Sequence, residues 1–534
     1  LINKNSILYP ADKPIVVGGD FFILFFKYNT MKKLIFGALT FALGVSSSVA
    51  QLSLNGHFYG EDALRFYSYG NYGSARSQGM GGAFTALGGD LSSSYINPAG
   101  LGFYNKSEFT ISPIFTTTNT TSNYIANSTK LSASNMGIGQ IGVVFSNRGV
   151  GTRKKRTAWS ISYNTLANFN NDFSYSGSNK RSSMSDYFAE RATQRGISSE
   201  ALNDEFNTTT RLAMNTTSLA YQAFLIDPIQ GGEYIASELS SPVNQKGNVS
   251  ESGNLGQINL GYGINYDDKT YVGASLGIQN LNYTQITDLT ESFPNGQIFN
   301  GFTFGDELFV KGTGINLNVG VIMKVSNNIR LGANITSPTS MIVNETYTAY
   351  IAYDQKPNTF ESDEQELSTM PNDFKYRISS PLRANFGTSI FLPKKLGVVS
   401  IEAEYVGYNM MNIKDKEDNR WSTDQKRGIQ SEFKDVVNIK VGSELRFGVA
   451  RLRAGLNFLG DPRKNSDAFN TSSTLIGTLG AGIRNNRFFA DVSYSRISRD
   501  FAFTPYNLST ETDFESATLN QSKGIVGISF GTFF

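Results

Sequence analysis

The feature that most constrains this chain is a two-residue alternation of apolar and polar side chains, recurring from Gly256 to the last residue, Phe534. In residues 257–266, Ile258, Leu260, Tyr262, Ile264 and Tyr266 share one face, while Gln257, Asn259, Gly261, Gly263 and Asn265 share the other. Successive side chains of a strand point to opposite sides, so such a segment has one apolar and one wet face. The beat returns in Ile315, Leu317, Val319, Val321, Met323 and Val325, and in Leu452, Ala454, Leu456 and Phe458. Strands of soluble sheets run about five or six residues. Many of these runs approach or exceed the roughly ten residues with which a tilted strand crosses a bilayer. The pattern predicts an all-β fold, a transmembrane antiparallel β-barrel with lipid outside and a polar lumen inside.

Composition agrees. The 534 residues include 52 Gly, 39 Phe and 26 Tyr, which suits strands of which only half the positions must be apolar. No run of apolar residues is long enough for a helical span. The net charge of +2 brings no basic groove for nucleic acid. With no Cys, disulfides and thiolate metal sites are excluded.

Near the N-terminus, Met31-Lys32-Lys33 precedes an apolar run from Leu34 to Val45 and then Ser48-Val49-Ala50. A positive head, a short apolar stretch and a small-x-small end form a signal peptide over 31–50, cleaved between Ala50 and Gln51. Residues 1–30 contain no Met and read as an untranslated upstream extension, with Met31 as the start.

From 51 to 106 the strand beat is missing. Glycine-rich small-residue stretches take its place, with a short helix expected from Ala83 to Leu87 and a turn at Asn97-Pro98. Such a segment ahead of a barrel suggests a plug in the lumen. The run Gly81-Gly82-Ala83-Phe84-Thr85-Ala86, then Gly88-Gly89-Asp90, and above all Asn97-Pro98-Ala99-Gly100-Leu101 resembles the N-terminal hatch of the FadL/TodX family. The resemblance covers about thirty residues. It implies an outer-membrane transporter of long-chain fatty acids or other hydrophobic molecules, with a barrel of fourteen strands.

The barrel is expected over 107–534. Counting alternating segments gives about fourteen strands, separated alternately by short turns, such as Asp267-Asp268 and Gly448-Val449, and by long linkers at 170–255, 287–306, 338–373, 414–433, 460–473 and 499–518. An even count with short periplasmic turns and long outer loops is the bacterial outer-membrane pattern. The last strand carries Val526, Ile528, Phe530 and the terminal Phe534 on one face, resembling the segment read by the barrel-assembly machinery.

Candidate chemistry lies in inward charges. A tight turn at 448–449 would set Glu444 opposite Arg453 and Arg446 opposite Arg451. Lys440, Arg446, Arg451 or Arg453 would then hold an anionic head group, or these charges simply pair among themselves. In the linker 170–255, Phe224-Leu225-Ile226 and Tyr234-Ile235-Ala236 form either a capture groove or the loop's own core. The family releases ligand sideways at a kink in strand three, and here the outward beat Trp159, Ile161, Tyr163 falters at Asn164-Thr165-Leu166.

Other motifs carry little. The GxGxxG match at 137–142 lies within a strand, and Arg153-Lys154-Lys155-Arg156 reads as a solvated turn. Residues 415–419 form an acidic loop tip rather than a calcium site. With His57 as the only histidine, Ser–His catalysis and haem ligation are poorly served.

The chain therefore reads as a monomeric outer-membrane channel, neither an enzyme nor a nucleic-acid binder, with no cofactor or metal. Its expected partners are a hydrophobic small-molecule ligand, outer-membrane lipid and lipopolysaccharide, and the assembly machinery. The alternatives are a secretion-accessory or structural barrel, and a haem uptake protein.

Overall fold

The computed structural model describes residues 58–148, 155–238, 241–296, 298–355, 365–464, 473–510 and 514–534. The upstream extension, the signal peptide with its Ala50–Gln51 cleavage site, His57 and the first half of the basic run at 153–156 lie outside the described residues.

Fourteen strands form the wall. They are β1 (Glu108–Tyr124), β2 (Asn127–Arg148), β3 (Lys155–Asn168, resuming as Asn171–Asn179), β4 (Val243–Tyr266), β5 (Thr270–Ser292) and β6 (Phe299–Lys324). Next come β7 (Ile329–Thr336, resuming as Ser340–Gln355), β8 (Asn372–Ser379, resuming as Leu382–Phe391) and β9 (Gly397–Gly407, resuming as Asn412–Lys414). The wall ends with β10 (Val436–Phe447), β11 (Ala450–Leu459), β12 (Thr474–Arg484), β13 (Phe488–Phe503) and β14 (Ala517–Phe533). Each pairs antiparallel with the next, and β14 pairs back onto β1 from Glu108↔Phe533 to Asn123↔Thr518. Closure leaves no terminal strand with an open edge, which a sheet in lipid requires because water cannot satisfy its outermost N–H and C=O groups.

The outside of the wall carries the apolar face that the alternation demanded. Ile258, Leu260, Tyr262, Leu276, Ile315, Leu317, Leu452, Leu456 and Phe530 are all exposed. A continuous apolar band of this kind is lipid-facing surface, and no helix among the described residues is long and apolar enough to span a membrane.

The strands continue well beyond that band, and there the sequence expectation needs correction. Much of the linkers 287–306 and 338–373 and both ends of 499–518 are strand, and β1 and β2 form one long hairpin. The polarity of the two faces reverses on the way up. In β5 the outward side chains run Val272, Ala274, Leu276, Ile278 and then Asn280 and Asn282. The inward ones change from Ser275 and Gln279 to the buried Leu281, Tyr283 and Leu289. Above the bilayer the outer surface meets water and the interior fills with apolar side chains, so backbone pairing persists while the membrane signature vanishes.

That upper interior packs against a small helical cap made of α3 (Met184–Arg195), α4 (Ser199–Asp204) and α5 (Thr216–Gln222), numbered after two helices of the N-terminal segment, α1 (Gly60–Tyr67) and α2 (Ala75–Gly79). Leu225, Ile226, Tyr234 and Ala236 are buried there, the first three in one cluster with Phe173, Leu289 and Phe304, whereas Phe224 and Ile235 are exposed. The loop thus has its own core and also presents apolar side chains outward. A further helix, α6 (Asn419–Glu432), lies in the linker 414–433. The acidic stretch before it serves as its cap, with the Asp418 carboxylate accepting from the Trp421 N–H at 2.8 Å.

Candidate functional site

Residues 58–106 meet inward-facing positions all round the wall, and glycines on that wall make the approach possible. A Cβ at Gly320 would lie 1.9 Å from Asn97 Oδ1, one at Gly273 would lie 2.3 Å from the Pro98 carbonyl, and one at Gly442 would lie 2.3 Å from the Met80 oxygen. The inward glycines interleaved with apolar residues in the sequence are therefore docking positions for the N-terminal segment. Asn97, which stands before a short 3-10 helix (Pro98–Phe103), accepts from Ala99 N–H at 3.1 Å and donates to the Thr85 carbonyl at 2.7 Å. Asp90 accepts from Ser92 N–H at 2.9 Å and from the Ser74 hydroxyl at 2.8 Å. Gly88 and Gly89 both have positive φ, of 69° and 68°, a left-handed pair that returns the chain beneath Phe103.

The helix expected from Ala83 to Leu87 does not form. Gly81 and Gly82 on one side and Gly88 and Gly89 on the other hold positive φ, and the Glu402 carboxylate accepts from both the Phe84 and Thr85 N–H groups at 3.0 Å. A helix forms earlier instead, at α1, with Glu61 and Asp62 in its first turn and Arg65 in its last. Its Glu61 pairs bidentately with Arg463 at 2.6 and 2.7 Å, tying the segment to an outer loop.

The tight turn at 448–449 sets Glu444 opposite Arg453 and Arg446 opposite Arg451. Lys440 is ion-paired with Glu402 at 3.1 Å and with Glu404 at 3.3 Å. Glu444 accepts from Arg453 at 2.9 Å, Arg446 at 3.0 Å and, from the N-terminal segment, Arg76 at 3.0 Å. Burial opposes the Arg76 charge, but Glu444 and Asp90 outweigh it and hold the guanidinium above its ordinary range.

Above the N-terminal segment lies a cavity of about 440 Å³. Leu64, Tyr69, Tyr72, Leu166, Phe169 and Phe501 bring apolar and aromatic surface to it. Of the six cations that line it, Arg65, Arg383, Lys440 and Arg463 are ion-paired, whereas Arg499 and Lys523 form no ion pair among the described residues. Arg499 donates to Gln521 Oε1 at 2.6 Å and stands over the Phe501 ring at 5.0 Å, while Lys523 donates to the Asn168 carbonyl at 2.9 Å. The sequence reading passed over both. Lys523 sits at an inward position between Gln521 and Ile525, and only knowledge of where carboxylates fall would separate it from the paired Lys440.

The cavity reaches the wall where two strands part. The β2–β3 ladder runs from Arg148↔Arg156 to Gln140↔Asn164 and stops. Immediately beyond, β3 bulges between Thr165 and Ala167, the position where its outward beat falters. The bulge is held from inside, since the Leu166 carbonyl accepts from Gly70 N–H at 2.9 Å and Phe169 packs on Phe66 and Tyr283. Past the break, β3 lies against the inner face of β1, where Thr118 donates to the Asn170 carbonyl at 3.0 Å and Thr120 to Asn171 Oδ1 at 2.7 Å. Sparse ties cross the parted region, namely Thr165 Oγ1 to the Ile138 carbonyl at 2.7 Å and Asn168 to Asn135 at 3.4 Å, with Asn127 and Thr129 reaching Ser176 and Ser174 higher up.

A closed fourteen-strand barrel with a lipid-facing band and an N-terminal segment packed inside defines an outer-membrane β-barrel. Its fold is that of the FadL/TodX channels. No protein-family model and no curated protein sequence matches the chain. Among solved structures it is similar to the toluene transporter TodX of P. putida, with 14% identity over 88% of this chain and 99% of that one and a TM-score of 0.50. It is similar also to a FadL homologue of Pseudomonas aeruginosa, with 12% identity over 87% and 98% of the two chains and a TM-score of 0.52.

Proposed function

We propose that this chain is a passive channel for uptake of a hydrophobic small molecule, such as a long-chain fatty acid, across the outer membrane. The observation that carries the reading is a lumen cavity with aromatic walls, lined by the bulged residues 165–169 of β3 at the place where β3 parts from β2. Ligand would collect on the exposed Phe224 and Ile235 of the outer cap, enter the cavity, and leave sideways between β2 and β3 into the membrane. A lateral exit spares an apolar ligand the aqueous route past the N-terminal segment, which acts as the plug. Arg499 and Lys523 favour a ligand with a carboxylate, because two cations with no ion-pair partner in contact gain more from an anion than paired ones do. No step needs a cofactor or an enzymatic group.

The test is mass spectrometry of organic extracts from protein purified gently out of outer membranes. A single hydrophobic compound, enriched over a control barrel and over empty detergent, is the expected result. A ligand-free barrel that brings down a stable protein partner would point instead to a secretion-accessory role.

A further inference from the structure

On the opposite side of the N-terminal segment, towards the short turns, lies a second cavity of about 290 Å³. It is lined by Arg76, Arg330, Arg446, Arg451, Arg453 and Arg484, and by a single carboxylate, Glu444. Two further carboxylates neutralise members of this set from behind, Asp491 on Arg453 at 2.7 Å and Glu108 on Arg484 at 3.3 Å. Glu444 is shared by three guanidinium groups. Arg330 and Arg451 remain without any ion pair among the described residues. Arg330 is clamped between the rings of Phe103 and Phe391, 4.4 and 4.2 Å from their centroids, and among the described residues donates to the Leu87 carbonyl at 2.9 Å. Among the described residues Arg451 donates to the carbonyls of Gly448 and Ala450, at 2.6 and 2.8 Å.

We infer that this niche is a periplasm-facing anion site, taking one oxyanion group, either a free anion such as phosphate or the head of an anionic amphiphile. Three features carry it. Positive charge exceeds negative charge within one concavity, so an anion entering it meets guanidinium groups that lack a counter-charge. The aromatic clamp fixes the Arg330 plane before any ligand arrives, so little freedom is lost on binding. A guanidinium also presents paired donors that suit phosphate and carboxylate oxygens alike. The site is separate from the upper cavity and does not depend on the transport reading. It has a structural consequence of its own, because the Arg76–Glu444 pair joins the N-terminal segment to the wall beside it. An anion bound there would compete with Glu444 for Arg76 and loosen that attachment.

The experiment is calorimetric titration of the full chain in neutral detergent at low ionic strength, with inorganic phosphate and with hexyl phosphate below its micelle concentration. The expected result is saturable binding that weakens by about tenfold or more in the Arg330→Gln/Arg451→Gln double variant, as the loss of charge-assisted hydrogen bonds implies. The titration is repeated in the Arg499→Gln/Lys523→Gln background, where the upper cavity no longer competes for an anionic probe; the same loss on adding Arg330→Gln/Arg451→Gln is expected there, and heat-modifiable gel mobility establishes that each variant is folded. Equal affinity for the two probes identifies a free anion as the ligand, and tighter binding of hexyl phosphate identifies an amphiphile head. Absence of saturable binding by both probes, or binding unchanged in the Arg330/Arg451 variant, overturns the proposal.

Discussion

Two joints of the barrel wall flank the same hairpin and behave oppositely. Where β1 meets β14, residues pair from Glu108↔Phe533 to Asn123↔Thr518 with an interruption at Ser112–Pro113, where the Ser112 and Ser529 hydroxyls meet, so the joint holds the wall from the periplasmic rim to above the membrane band. Where β2 meets β3, pairing stops at Gln140↔Asn164 and the upper thirteen residues of β2, 127–139, have no ladder on that side. Strand propensity does not distinguish the two. Both upper regions are rich in Thr, Ser and Asn, and β2 remains paired to β1 across 127–138, with Gly139 set out at a register shift. The difference comes from a single extra residue at Leu166 and from what the lumen places behind it. Gly70 and Lys523 take the backbone carbonyls of Leu166 and Asn168, and an aromatic cluster holds Phe169 inward. A barrel can thus keep every strand and still open its wall, provided its interior satisfies the groups that leave the ladder.

The most severe test bridges the two joints in turn. The chain has no Cys, so an introduced pair reacts only with itself. Asn135 and Asn168 face each other across the parted joint at 3.4 Å, and Asn123 and Asn520 face each other across the sealed one at 3.2 Å. Joining Asn135→Cys to Asn168→Cys with a short thiol cross-linker should abolish uptake of a labelled fatty acid by whole cells. The same treatment of Asn123→Cys and Asn520→Cys should leave it intact. Equal uptake in both cross-linked proteins would remove the lateral route.

Deleting Leu166 is the next largest perturbation, because it returns β3 to a straight register with β4 and β2. Uptake should fall towards that of cells lacking the protein, while heat-modifiable mobility reports a folded barrel. A deletion variant that transports normally would show that the bulge is not what parts the wall. Replacing Arg499 and Lys523 with Gln touches the cavity behind the joint instead. Fatty-acid affinity, measured by tryptophan fluorescence, should drop on the order of tenfold for each charge-assisted bond lost. Binding of a neutral hydrocarbon should not change, and an equal loss for both ligands would argue against a carboxylate at these cations.

The contrast also explains what could be read from sequence. The membrane layer was legible because lipid outside and water inside impose opposite chemistry on alternate residues, as at Ile258–Gln257 and Leu317–Asn316. The outer extensions were not, because both Asn282 and Thr290 point into water while Leu281 and Leu289 point into a core, a pattern that resembles any half-buried strand. The strand count survived because the alternation persists within the membrane even where β7, β8 and β9 are interrupted higher up. The docked motif at 97–99 was visible as a motif, but the inward glycines that receive it look in sequence like ordinary wet-face positions. Pairing of Glu444 with Arg453 followed from a two-residue turn, whereas that of Glu444 with Arg76 joins residues 368 positions apart and has no local trace.

The smallest expected effect is the most discriminating between the joints. Thr165 donates to the Ile138 carbonyl at 2.7 Å, the lowest tie across the parted region, and Ser112 shares a 2.7 Å hydroxyl contact with Ser529 across the sealed one. Thr165→Val and Ser112→Ala each delete one buried hydrogen bond, so each should cost about 1 kcal/mol in a urea unfolding titration. Their consequences for transport should differ. At the sealed joint the backbone ladder continues on both sides of Ser112, and losing a side-chain contact leaves the wall closed. At the parted joint no ladder exists above Asn164, so the Thr165 hydroxyl is itself part of what limits the opening. Thr165→Val should therefore raise the initial rate of fatty-acid uptake, and Ser112→Ala should not. Matching stability losses with matching uptake rates would mean that the opening is limited elsewhere, at the Asn127 and Thr129 ties higher on β2.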